Sequence, residues 1–185
     1  MNGGIHQATS TGTEVSSMKW VTTANVHFDR VASPWLIRRF IDPKAEFLFV
    51  ARGQEDKRPA DAIPIAIPGT AKLGPHDKDG PTFMKLLREY KLNDPALERM
   101  AKVVDEGVRF VTEGYRPPMG DREGEIAIGY LAFSDGMILH KKNDQERLDA
   151  SFVAYDALYA LFKANKGMSL VARDQSQESD NSGRL

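Results

Sequence analysis

"KWVTTANVHFDRVASPWLIRRFIDPKAEFLFVA", residues 19–51, holds the signals that decide the fold. From Trp20 to Phe28 apolar and β-branched residues alternate with others, which is a strand pattern. Ser33-Pro34 then reads as a helix start, since Ser caps free N–H groups and Pro at the first helical position loses no hydrogen bond. That helix is expected to run to about Ile41 and to stop at Asp42-Pro43. "EFLFVA", residues 46–51, follows as a second strand.

Outward from this stretch, "AIPIAI" (62–67) is a third short strand. Asp79-Gly80-Pro81 opens a helix whose buried face is Phe83, Leu86, Leu87 and Tyr90. Asp94-Pro95 opens the next, with Leu97, Met100, Ala101 and Val104 inward. A last, long helix begins near Asp144, carries Leu148, Phe152, Tyr155, Tyr159 and Phe162 in one stripe, and ends at Asn165 and Gly167. Within 108–143, "EIAIGYLAF" fits either alternation or a helical stripe; helix is the preferred reading. The expected fold is α+β: a single domain over 19–167, with a small sheet of about three strands packed with four or five helices. Residues 1–18 are read as a disordered leader and 168–185 as a disordered tail, being polar and without periodicity.

The 185 residues suffice for one core. With 25 basic against 26 acidic side chains, the chain lacks the charge of a nucleic-acid binder, so no direct nucleic-acid contact is expected. No stretch approaches a membrane span and no signal peptide is visible, which makes the cytoplasm the expected location. Cysteine is absent, so a metal would need His, Asp and Glu ligands. No G-x-S-x-G, G-x-x-x-x-G-K-[ST] or G-x-G-x-x-G occurs, which removes hydrolases of the Ser-elbow type and phosphate-loop proteins.

Three groups of residues could carry chemistry. If Ser33 caps the first helix, its hydroxyl, the free N–H groups beside it and Arg30 outline an anion site. Arg38 best shares a face with Trp35 for stacking. The alternative is that Arg38 and Arg39 are solvated and Arg30 pairs with Asp29 or another acid. Asp156 falls on the buried face of the last helix and needs a cationic partner, Arg30 or Arg38, as a clamp or as an acid. "HFD" puts His27 and Asp29 on one strand face, compatible with two metal ligands, and His76 in "GPHDKDGPTF" is a candidate third. That loop is not a calcium loop, because Leu86 stands where the bidentate Glu should be.

"DRVASPWLIRRFIDPKAEFLFV", with "AIPIAIPG", "HDKDGPTFMKLL" and "DQERLDASFVAYDALYALF", resembles the C-terminal domain of the chromate-resistance protein ChrB family over about residues 20 to 165. The resemblance marks Asp29, Arg30, Trp35, Leu36, Arg38, Phe40 and Asp42, then His76, Thr82 and Phe83, then Tyr155, Asp156 and Tyr159. Met84 stands where the family often has Glu, Asp105 where it has His, and His27 where another basic residue is frequent. A metal set here would therefore draw on Asp105 or Glu106 with His76.

The resemblance implies a protein of chromate resistance and stress response. The expected function is binding of a small oxyanion, chromate or similar, by Arg30, Ser33, Trp35, Arg38 and Asp156, as a sensor or accessory factor; guanidinium forks match tetrahedral oxyanions. One alternative is an enzyme with a divalent or transition metal ion on His27, Asp29, His76 and Asp105, acting on a small anionic molecule. The other is an interaction domain without a ligand. The number of copies in the assembly is left open by the sequence.

Overall fold

A computed structural model describes residues 17–164. Strand β1 (Lys19–Thr23) is central, paired in parallel with β2 (Glu46–Val50) on one side and with the two-residue β3 (Ile63–Pro64) on the other. Parallel neighbours need a crossover, and α1 (Asp29–Leu36) supplies it between β1 and β2. Alternation sorts the side chains by face: Trp20 and Phe47 enter the main core, while Val21, Leu48 and Val50 join a small cluster with Ala62 and Ile67. The α+β expectation holds, with five α-helices and three strands among the described residues, in one domain.

The first strand is shorter than its pattern. It ends at Thr23 because Asn25 and Phe28 take left-handed backbone angles, φ 60° and 46°. The N–H groups of Asn25 and Val26 then donate to the Asp144 carboxylate, at 2.9 and 2.7 Å, in place of a strand partner. His27 and Asp29 consequently share no strand face; the chain has already turned into a helix at Asp29.

Ser33 is likewise not a cap. Helix α1 starts four residues before it, where Arg30 N–H bonds the His27 carbonyl and Val31 and Ala32 N–H bond that of Phe28. Pro34 sits inside the helix, and Ser33, fully buried, donates its hydroxyl to Asp29 at 2.9 Å. The helix does continue to Ile41, its last five residues as a wider π-helical turn, and stops at Asp42. Asp42 is buried and accepts from the Met18 N–H, the Trp20 indole and the Lys44 N–H. Met18, assigned above to the leader, is thus tied to the sheet end; residues 1–16 and 165–185, with the expected helix stop at Asn165 and Gly167, lie outside the described residues.

Four further helices build the rest: α2 (Thr82–Glu89), α3 (Pro95–Thr112), α4 (Arg122–His140) and α5 (Asp144–Ala164). Asp94 caps α3 by accepting the Ala96 N–H at 2.8 Å, as Asp-Pro leads one to expect. "EIAIGYLAF" is helical, within α4. At the centre stands Trp35, wholly buried, parallel to Phe83 at 6.4 Å and ringed by Phe40, Tyr155 and Tyr159 at 5.7, 6.1 and 5.9 Å. Among the described residues no helix is long and apolar enough to cross a membrane.

Candidate functional site

The C-terminal ends of the three parallel strands open onto a cavity of about 510 Å³. Thr23 closes β1 there, Arg52 stands two residues past β2, and Ala66 and Pro68 follow β3. Helices α3 and α4 add a second wall through Gly107, Val108, Val111 and Leu131. Open sheets of parallel strands expose their loops and helix starts at this end, which is why it is the usual place for a ligand. The volume lies within the range of small-molecule sites. Two of the residues with left-handed backbone angles, Phe28 and Ala66 (φ 52°), line it, and such strain persists only where surrounding contacts hold it.

Asp29 forms part of the lining but its carboxylate is occupied. Oδ1 accepts from the Ser33 hydroxyl and the Phe83 N–H, and Oδ2 from the Thr82 N–H at 3.0 Å. The residue that begins α1 therefore caps α2, covering N–H groups that helix starts leave unpaired. Burial pushes this carboxyl up, against the pull of its three donors.

Arg30 differs. It is half-buried on the cavity wall, and among the described residues neither its side chain nor that of Arg52 makes an ion pair or a hydrogen bond. Burial first, and the positive charge of Arg52 second, lower the proton affinity of Arg30. The nearby Asp29 and Asp144 carboxylates act in the opposite direction, but neither forms a salt bridge with the Arg30 side chain. Glu55, at the same cavity, accepts the Gly53 N–H at 2.9 Å, which holds its carboxyl below the usual range.

Two histidines share the lining, each beside a carboxylate. His27 Nε2 lies 3.0 Å from Asp135 Oδ1 on α4, while His76 Nε2 lies 3.8 Å from Asp105 Oδ1 and 3.9 Å from Glu113 Oε1. The structure thus brings His27, Asp29 and His76 to one cavity and Asp105 next to His76. Two of them are engaged elsewhere: both Asp29 oxygens have donors and His27 faces Asp135. Among the described residues no three His, Asp or Glu side chains are grouped so as to hold a metal ion.

Of the residues expected to converge on an anion, only Arg30 lines the cavity. Ser33 and Trp35 are wholly inside the core. Arg38 donates Nη2 to the Ala45 carbonyl at 2.6 Å and lies over the Phe47 ring at 5.3 Å. Asp156 is indeed clamped, but by Arg39: Nε to Oδ1 at 2.8 Å and Nη2 to Oδ2 at 2.6 Å, with the Trp35 indole donating to the same Oδ1 at 2.8 Å. Arg39 is four residues from Trp35, one helical turn on, so both reach one carboxylate. Sequence reasoning missed Arg52; the available signal was a cation directly after a strand, at the end where parallel sheets place their sites.

Comparison with known proteins gives one family. The model described as "ChrB, C-terminal domain" matches residues 20–162. Protein ChrB of Cupriavidus metallidurans is 32% identical over 158 residues, which is 82% of this chain and 43% of that protein. The chain thus spans less than half the length of that relative. No solved structure matches.

Proposed function

Since the chain belongs to the ChrB family, through its C-terminal domain, and so to the proteins associated with chromate resistance, we propose that it binds an oxyanion group in the cavity at the strand ends. The supporting observation is the pair Arg30 and Arg52, two guanidinium groups at one cavity whose side chains make no hydrogen bond or salt bridge among the described residues. A bound anion would accept the forked hydrogen bonds that neither guanidinium group makes within the protein. In this reading the domain senses the anion or accompanies the resistance machinery as an accessory factor.

The test is thermal stabilisation by chromate, sulfate and phosphate. The unmodified protein should melt higher as anion concentration rises, since a ligand of the native state stabilises it by mass action. Arg30→Ala and Arg52→Ala should each abolish most of that rise, whereas Arg39→Ala, which breaks the Asp156 clamp, should keep it. Stabilisation that survives both Arg30→Ala and Arg52→Ala would place the anion elsewhere.

A further inference from the structure

We infer that the preferred occupant of the cavity is an organic oxyanion, a carboxylate or phosphate ester carrying an apolar body, and that a bare inorganic ion fills only part of the site. The inference rests on the anion reading of Arg30 and Arg52 and adds the class of ligand.

The two guanidinium groups can satisfy one tetrahedral or planar anionic group. The rest of the 510 Å³ cavity offers little to a hydrated ion: Phe28, Pro68, Val108, Val111 and Leu131 present carbon. Val111 is 61% exposed although it lies on α3 within this lining, so a large apolar side chain is left facing water at the cavity. Gly107 contributes in another way. A Cβ at that position would collide with the Phe28 ring, so glycine lets the ring pack directly on α3 and makes the aromatic edge part of the wall. A ligand with a ring or short chain behind its anionic head would cover Val111 and the Phe28 ring while the head meets Arg30 and Arg52. Pockets for small molecules commonly join an apolar lining to a few placed polar groups in this way. A strongly hydrated ion alone would lose water on its far side without replacement.

Titration calorimetry of the full chain with inorganic phosphate, phenyl phosphate and benzyl alcohol separates head from body. Phenyl phosphate should bind at least about tenfold more tightly than phosphate, the return on burying one ring, and benzyl alcohol should bind more weakly than phenyl phosphate. Val111→Ser, at an exposed site and therefore compatible with folding, should weaken phenyl phosphate severalfold and leave phosphate unchanged. Arg30→Gln should weaken both phosphates. If phosphate binds within tenfold of phenyl phosphate, or Val111→Ser has no selective effect, the organic-ligand inference is overturned while anion binding stands. If neither phosphate binds, or Arg30→Gln binds both as the unmodified protein does, the anion reading itself fails and this inference goes with it.

Discussion

Asp29 Oδ1 accepts the backbone N–H of Phe83 at 3.1 Å, joining two helices 54 residues apart in sequence through a carboxylate that stands beside the candidate site. The same carboxylate takes Thr82 N–H and the Ser33 hydroxyl, so removing it strands three donors in the interior. Asp29→Ala should cost about 2–4 kcal/mol, on the scale of leaving buried polar groups unpaired. Ser33→Ala, which removes one of the three, should cost about 1 kcal/mol. Urea unfolding at neutral pH measures both; equal costs would mean the cap on α2 contributes nothing.

The clamp on Asp156 has a pH signature. Arg39, and after it the Trp35 indole, hold the Asp156 carboxyl below the usual range. A depressed folded pKa gives stability that is present above the unfolded value of about 3.9 and is lost as pH falls through the lower folded value. The stability gap between the unmodified protein and Asp156→Asn should therefore be present at pH 7 and should close only as pH falls below about 4. Since both side chains are 41% exposed, the gap should be modest, about 1 kcal/mol or less. Asp156→Ala should cost more, because the buried indole N–H of Trp35 then has no acceptor. A gap that persists unchanged to pH 3 would refute the assignment.

Two glycine positions should respond with opposite sign. Gly107→Ala drives a methyl group into the Phe28 ring and should destabilise the protein by about 1–3 kcal/mol, as overpacked cores do. Gly129→Ala on α4 meets nothing within 4 Å and should stabilise by about 0.5–1 kcal/mol through helix propensity. Thermal melts of the pair give the comparison, and a neutral Gly107→Ala would show that the ring can move aside.

Tyr130 donates its hydroxyl to the Ala154 carbonyl at 2.7 Å, and burial pushes its phenol up to about 12. The folded protein keeps this proton while the unfolded chain releases it near the ordinary value of about 10, so stability falls as pH rises from one to the other. Tyr130→Phe should lose part of that alkaline decline. Ultraviolet titration between pH 10 and 11 should show at least three fewer phenolates in the native protein than in the unfolded chain, since burial holds up the phenols of Tyr155 and Tyr159 as well.

Much of the fold was legible because its signals are local. Asp94-Pro95 announces α3 by cap chemistry, and the stripe from Leu148 to Phe162 announces α5 by period. The site was less so. Ser33-Pro34 carries strong helix-start chemistry, yet α1 begins at Asp29, because the bonds of Asn25 and Val26 to Asp144 and the left-handed turn at Phe28 act from outside the local pattern. Ser33 therefore lies inside the helix and in the core, and it is Arg39, not Arg38, that reaches Asp156. Arg30 was found on its charge and its place before the helix. Arg52 was not, since its role depends on strands whose order no spacing reveals.

Asp144 and Ser134 hold the turn after β1 from more than 100 positions downstream, through the N–H groups of Asn25, Val26 and Phe28. During synthesis on the ribosome, the segment bearing Arg30 emerges early and must wait, unanchored, until those two partners have left the exit tunnel. The hollow at the strand ends is accordingly among the last features to take shape as the polypeptide grows, and a nascent chain halted before residue 134 would lack both anchors of the turn that carries Arg30.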